Sequence, residues 1–135
     1  MIRYMLDTNI IIYTIKNKPA IVKQKFDRAI DQLCVSTISV TELIFGAEKS
    51  AKPRENLAVV EGLINRLQVL DFDIDAANHA GLIRSDLHKV GLPIGPYDSL
   101  IAGHARSQGL VLVSNNLSEF NRVDGLRLEN WAAGN

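Results

Sequence analysis

Short apolar segments recur along this chain, each followed by a stretch with helical spacing, and no other feature restricts its fold so strongly. Residues 3–6, 34–36, 68–72, 110–113 and 126–131 read as strands. Between them, residues 8–16, 20–33, 37–50, 73–90 and 97–108 carry helical periodicity. Pro53 opens a further helix with Leu57, Val60, Leu63, Ile64 and Leu67 on one stripe, and Leu43 and Ala47 mark the buried side of the helix before it. Pro19 reads as a first-turn residue, while Gly91 and Gly109 stand where helices should stop. Strands that are apolar almost throughout suit a parallel sheet covered on both faces, since parallel neighbours need a crossover helix between them. The expected fold class is therefore α/β, three layers (α/β/α) about a central, mainly parallel sheet. At 135 residues, the chain is expected to form one domain over 1–135.

Composition narrows the function classes. Hydrophobic residues make up 47% and charged residues 22%, which supports a packed core and excludes a disordered chain. The single cysteine, Cys34, has no partner for an internal disulfide; between Leu33 and Val35 it reads as a small buried hydrophobe. No run approaches the roughly 20 apolar residues of a membrane span, and Asp7 interrupts any signal-like start, so a soluble, cytoplasmic protein without membrane contact is expected. Lys plus Arg and Asp plus Glu number 15 each, which leaves no global field to steer nucleic acid. Locally, Lys16, Lys18, Lys23, Lys25 and Arg28 crowd one segment, and Lys49, Lys52 and Arg54 another, as solvated helix faces or as phosphate contacts. His79, His88 and His104 fall within helices without metal-ligand spacing and read as ordinary surface or core residues. Trp131 reads as a closing aromatic.

Four acids share a placement that composition does not explain. Asp7 follows the first strand, Glu42 lies early in the helix after the second, and Asp98 lies in the first turn of the helix opened by Pro96. Glu119 falls in a short loop after the 110–113 strand. Singly, each has an ordinary explanation: Asp7 as a helix cap, Ser39 with Glu42 as a capping box, Asp98 drawn by the helix dipole, Glu119 as a solvated carboxylate. Together they point elsewhere. The carboxyl ends of parallel strands share one edge, so side chains at strand–helix junctions converge there. Carboxylates so gathered repel unless a cation lies among them, and an all-oxygen set suits a hard ion such as Mg2+ or Mn2+. Such an ion activates water and offsets charge on a phosphodiester. Gly95 is expected to let the chain turn before Pro96, setting Asp98 at the mouth of its helix.

These residues carry a family likeness over nearly the whole length. It rests on Met5-Leu6-Asp7-Thr8-Asn9, on Ser39 to Glu42-Leu43 with Gly46 beyond, and on Pro93-Ile94-Gly95-Pro96-Tyr97-Asp98 followed by Ile101-Ala102. It continues through Val113-Ser114-Asn115-Asn116 with Glu119-Phe120, and into the ending from Val123 to Trp131. In this order the motifs resemble the PIN-domain nucleases and, among them, the VapC toxins of bacterial type II toxin–antitoxin modules. The resemblance implies a PIN-like fold and a Mg2+-dependent endoribonuclease, with Mn2+ as a substitute ion. It implies Asp7, Glu42, Asp98 and Glu119 as the catalytic acids and Asp7 and Asp98 as the principal metal ligands. Glu42 would bind the metal through water or orient the attacking water. Thr8 or Asn9, Ser114 and Asn116 would hold the carboxylates or metal waters by hydrogen bonds. Many relatives carry Thr where this chain has Ser114, and Asp at or near Asn116; the neutral amide leaves Glu119, supported by Asn116, as the fourth acid. The resemblance also implies tRNA as substrate, at the anticodon stem-loop of the initiator tRNA. A homodimer is implied too, with a VapB-type antitoxin whose C-terminal segment lies across the acidic groove.

Other proteins with an Asp at a strand end fit less well. A phosphoacceptor signalling domain would place a Lys after a late strand, where Ser114-Asn115-Asn116 stands, and a dehalogenase-type phosphatase would need an acid where Asn9 stands. A PIN-like domain that binds RNA or a partner without cutting is the remaining alternative. The intact Asp7, Glu42, Asp98 set speaks against it.

Overall fold

Local periodicity and the need to cover both faces of each strand yield the expected alternation. A computed structural model describes residues 1–133. In chain order it comprises β1 (Tyr4–Leu6), α1 (Thr8–Lys16), α2 (Ala20–Arg28), β2 (Leu33–Ser36), α3 (Thr37–Glu48) and α4 (Pro53–Ile64). There follow β3 (Gln68–Leu70), α5 (Ile74–Lys89), α6 (Pro96–Ser107), β4 (Val111–Val113), α7 (Leu117–Phe120) and β5 (Arg127–Glu129). Every strand pair is parallel, in the order β3-β2-β1-β4-β5. The chain lays β2 and β3 on one side of β1 and then returns to place β4 and β5 on the other. Open parallel sheets take their ligands at the carboxyl ends of the strands where the winding reverses in this way.

Successive strand residues point to opposite faces, and the apolar side chains divide accordingly. Leu6, Val35 and Val113 enter one core with Ile10, Ile11, Phe26, Leu43 and Val60, whereas Met5, Cys34 and Leu112 enter a second with Ile83, Leu87, Ile101 and Ala105. The sheet is thus the middle layer, with α1 to α4 on one face and α5 and α6 on the other. Trp131 closes the first core, edge-on to Tyr4 at 5.8 Å between ring centroids. Burial pushes the Cys34 thiol up to about 12, which leaves it an inert core residue as expected. Among the described residues, no helix is long and apolar enough to cross a membrane.

One close approach sets α6, the helix that carries Asp98. A Cβ on Gly103 would stand 2.5 Å from the Ala80 backbone nitrogen, so α6 reaches α5 only with glycine there. Gly91 and Gly109 adopt positive φ after α5 and α6, as their positions predict.

Several boundaries differ from expectation. The helix expected over 20–33 stops at Arg28; Ile30–Gln32 form a 3-10 turn, and Leu33 joins β2 by pairing with Tyr4. Burial of Leu33 in the core outweighs its helical spacing. Pro19 is the residue before α2 rather than within its first turn. Phe72 lies beyond β3, and Trp131 leaves the expected last strand for a 3-10 turn.

Candidate active site at the carboxyl edge

Where β1 ends, the Asp7 backbone N–H still donates to the Val113 carbonyl at 2.9 Å, which holds the residue beside β4. Its side chain caps α1, with Oδ1 accepting from the Thr8 N–H at 2.8 Å. Oδ2 accepts from the Ser114 hydroxyl at 2.8 Å, and Ser114 Oγ in turn accepts from the Asn116 N–H at 2.9 Å. Asp7 is only 4% exposed. Loss of hydration raises its pKa, the Ser114 and Thr8 hydrogen bonds pull it back, and Glu42 adds repulsion, with a net upward shift. The capping role and the cluster role are therefore compatible in one carboxylate.

The capping box expected from Ser39 and Glu42 does not form. Ser36 is the N-cap of α3, accepting from the Ile38 N–H at 3.1 Å. Ser39 and Glu42, three positions apart on one helix face, turn toward α1 instead. Thr8 Oγ1 stands 3.0 Å from Ser39 Oγ and 2.7 Å from Glu42 Oε1. A threonine has one hydroxyl proton and a carboxylate only accepts, so Thr8 donates to Glu42 and accepts from Ser39.

Asp98 sits in the first turn of α6, as expected. Gly95 does not serve the turn, because its φ of −57° and ψ of 147° suit any residue. A Cβ there would meet Asp98 Oδ2 at 3.4 Å, an ordinary van der Waals distance, so neither the backbone nor the space requires glycine at this position. The Asp98 carboxyl is pushed up to about 7, first by burial, then by a hydrogen bond with Glu119, then by the charges of Asp7, Glu119 and Glu42. Glu119 lies on α7 rather than in a loop, and Asn116 Nδ2 donates to its Oε2 at 3.1 Å.

All four expected acids thus act on one another although they come from four separate parts of the chain. Thr8, Ser114 and Asn116 hold carboxylates. Asn9 does not; it is exposed on the same cleft and makes no hydrogen bond to the four acids among the described residues. Ser39 escaped sequence reading because its spacing to Glu42 also fits a cap. His104 proves a core histidine, its Nδ1 2.8 Å from Ser36 Oγ and its ring edge-on to Phe72, and burial lowers its pKa so the ring is neutral. The first basic cluster is in part a solvated helix face: Lys23 pairs with Asp27 at 2.7 Å, and Arg66 reaches the same carboxylate at 3.3 Å.

Acids gathered at the carboxyl edge of a three-layer parallel sheet correspond to a defined class, and the family model described as PIN domain matches residues 4–126. Among similar proteins, a tRNA(fMet)-specific endonuclease VapC from Salmonella typhimurium is 56% identical over 97% of this chain and 99% of its own. A protein of the same name from Shigella flexneri is 54% identical over 98% of this chain and all of its own length. A crystal structure of DNA-bound VapBC from Salmonella typhimurium superposes with a TM-score of 0.93 at 56% identity, covering 97% of this chain and 99% of that one. The chain belongs to the PIN domain family, among its VapC ribonucleases.

Proposed function

We propose that this chain is the toxin of a type II toxin–antitoxin module, a metal-dependent endoribonuclease that hydrolyses a phosphodiester in tRNA. One observation carries the reading: four carboxylates from separate elements meet at the winding reversal, and their mutual repulsion helps raise Asp98 to about 7.

The site fits a hard divalent cation. Its donors are carboxylate oxygens, and a cation among them would relieve the repulsion now borne by Asp98. Among the described residues, no three His, Cys, Asp or Glu side chains cage a metal unaided. Mg2+ needs no such cage, because it is held by one or two carboxylates and keeps several of its waters. Asp7 and Asp98 would hold it, with Mn2+ as a substitute. When bound, the ion supplies a water of lowered pKa and offsets charge on the phosphodiester.

The chain's own residues do the remainder. Thr8 N–H and Ser114 fix both oxygens of Asp7, so the carboxylate cannot rotate away from its task. The Thr8 hydroxyl aims Glu42, which would orient the attacking water and accept its proton. Asn116 holds Glu119 beside Asp98, where it completes the acidic pocket as the fourth acid. Asp98 must lose its proton before it can bind a cation, so protons and metal compete. At limiting Mg2+ activity should fall as pH drops below about 7, and raising Mg2+ should move that limb to lower pH.

The names of the near-full-length relatives support the initiator tRNA as the target, its anticodon stem-loop being what the family resemblance implies, and the VapBC structure supports a VapB-type antitoxin as partner. A homodimer is part of the same reading. A domain that binds without cutting is disfavoured, because none of the four acids is missing or misplaced. The test is incubation with initiator tRNA and with total RNA, in EDTA and then with Mg2+ or Mn2+, using Asp7→Ala as control and mapping new 5′ ends. New ends should appear only with wild-type protein and metal. Cleavage that persists in EDTA, or none with either metal, would refute the reading.

A further inference from the structure

Eight aromatic side chains occur in this chain, and six of them are buried or partly buried. The other two, Phe45 at 64% and Tyr97 at 55% exposure, come from α3 and α6 yet line one cavity of about 570 Å3 together with Thr8, Asn9 and Glu42. Phe45 lies three positions beyond Glu42 on α3, off the Leu43–Ala47 core stripe, and Tyr97 directly precedes Asp98. Leaving such rings in water forgoes hydrophobic stabilisation, and neither has a role in either core. A third observation adds charge: Lys49 Nζ sits 5.0 Å from the Phe45 ring centroid and lines the same cavity.

We propose that Phe45 and Tyr97, with Lys49 beside them, form a stacking platform for an unpaired base of the RNA next to the scissile phosphate. The proposal rests on the nuclease reading and names the feature of the RNA that the site selects. Bases stack on aromatic rings whatever their identity, and a neighbouring cation meets the backbone phosphate. RNA is read this way where bases can be splayed out of loops, whereas in a duplex they are already stacked on one another. Lys49 occupies one face of the Phe45 ring, which leaves the other for a base. Among the described residues lining this cavity Lys49 is also the one cation, where Glu42 alone would repel a phosphate.

The test compares binding of two RNAs in EDTA, where cleavage does not intervene: a hairpin with an unpaired loop, and the fully paired duplex of its stem. Phe45→Ala should weaken hairpin binding by about tenfold or more and leave duplex binding unchanged, with Tyr97→Ala acting in the same direction. Phe45→Trp should restore the hairpin preference. Both rings are exposed, so thermal melting should be unaltered. Equal weakening of both RNAs, no weakening of either, or no hairpin binding by the wild type would overturn the platform. Unchanged RNA binding with loss of a VapB-type antitoxin would overturn it too, assigning the surface to a protein partner. Cleavage with Mg2+ is scored separately: a wild type that cuts while Phe45→Ala binds normally sinks only the platform, whereas a wild type that never cuts sinks the nuclease reading.

Discussion

The two ends of the sheet hold cavities of equal size, about 570 Å3 each, and opposite chemistry. At the amino end the described lining residues include Ile2, Arg3, Gln32, Gln108 and Arg127 and, among them, no carboxylate, and the Arg127 guanidinium is occupied by the Gly109 carbonyl. At the carboxyl end, Glu42 lines the cleft beside Thr8, whose N–H donates to Asp7, and the charges of Asp7 and Glu42 both raise the pKa of Asp98. Most buried polar side chains follow the same division, while Thr14 and His104 lie further along their helices. Among the described residues Asp7, Thr8, Ser36, Ser39, Ser99 and Ser114 lie at strand ends or in the first turns of helices at that edge. Each costs desolvation and is compensated by a hydrogen bond, an arrangement a fold without a site there would not need. Cavity size therefore does not distinguish the two ends; convergent, individually unfavourable polar groups do.

The sharpest way to break this contrast is at the acids. Asp7→Asn or Asp98→Asn should lower RNA cleavage by at least about a hundredfold with the melting transition retained, and activity near wild type would end the assignment. Ser114→Ala comes next, with a loss of about 10–100-fold in metal affinity or activity. It removes a hydrogen bond that holds the Asp7 pKa down, so the acid limb of the pH–activity profile should move to higher pH, and Ser114→Thr should restore it.

A smaller effect concerns stability without metal. The folded pKa of Asp98, about 7, lies above its ordinary value of 3.8, so the fold prefers the protonated form. Ionisation penalises only the folded state, and the wild type should lose stability as pH rises from about 4 to about 7. Asp98→Asn should therefore melt a few degrees higher than wild type at about pH 8 and alike at about pH 4, a difference that divalent cation should erase. Equal melting at both pH values would remove the repulsion from the account. Smallest of all, Arg127→Ala at the amino end should leave cleavage unchanged and stability within about 0.5 kcal/mol. A large loss of cleavage would mean the two ends are not so different.

Much of the candidate site was legible in the sequence, because helix starts are local features: Asp7 caps one, Glu42 lies in the first turns of another and Asp98 in the first turn of a third. What local pattern could not show was which partner wins when two are available. Ser39 had the spacing of a cap, but Ser36 stands at the helix start and Ser39 is left to bond Thr8. Gly95 had the look of a turn residue, but its backbone is ordinary and a Cβ there would meet Asp98 only at van der Waals distance. Phe45 carries no motif at all, and its exposure beside the acids emerges only in the fold.

Residue order alone was enough to settle an α/β fold and to put an acid at each of several junctions, since hydrophobic period and helix-start chemistry act within a few residues of one another. Three-dimensional packing settled the rest. The order β3-β2-β1-β4-β5 brings the strand ends to one rim, the missing Cβ of Gly103 seats the helix that carries Asp98, and burial of Asp98 beside Glu119, Asp7 and Glu42 sets its unusual proton affinity. These depend on distances between groups far apart along the chain, which no local period encodes.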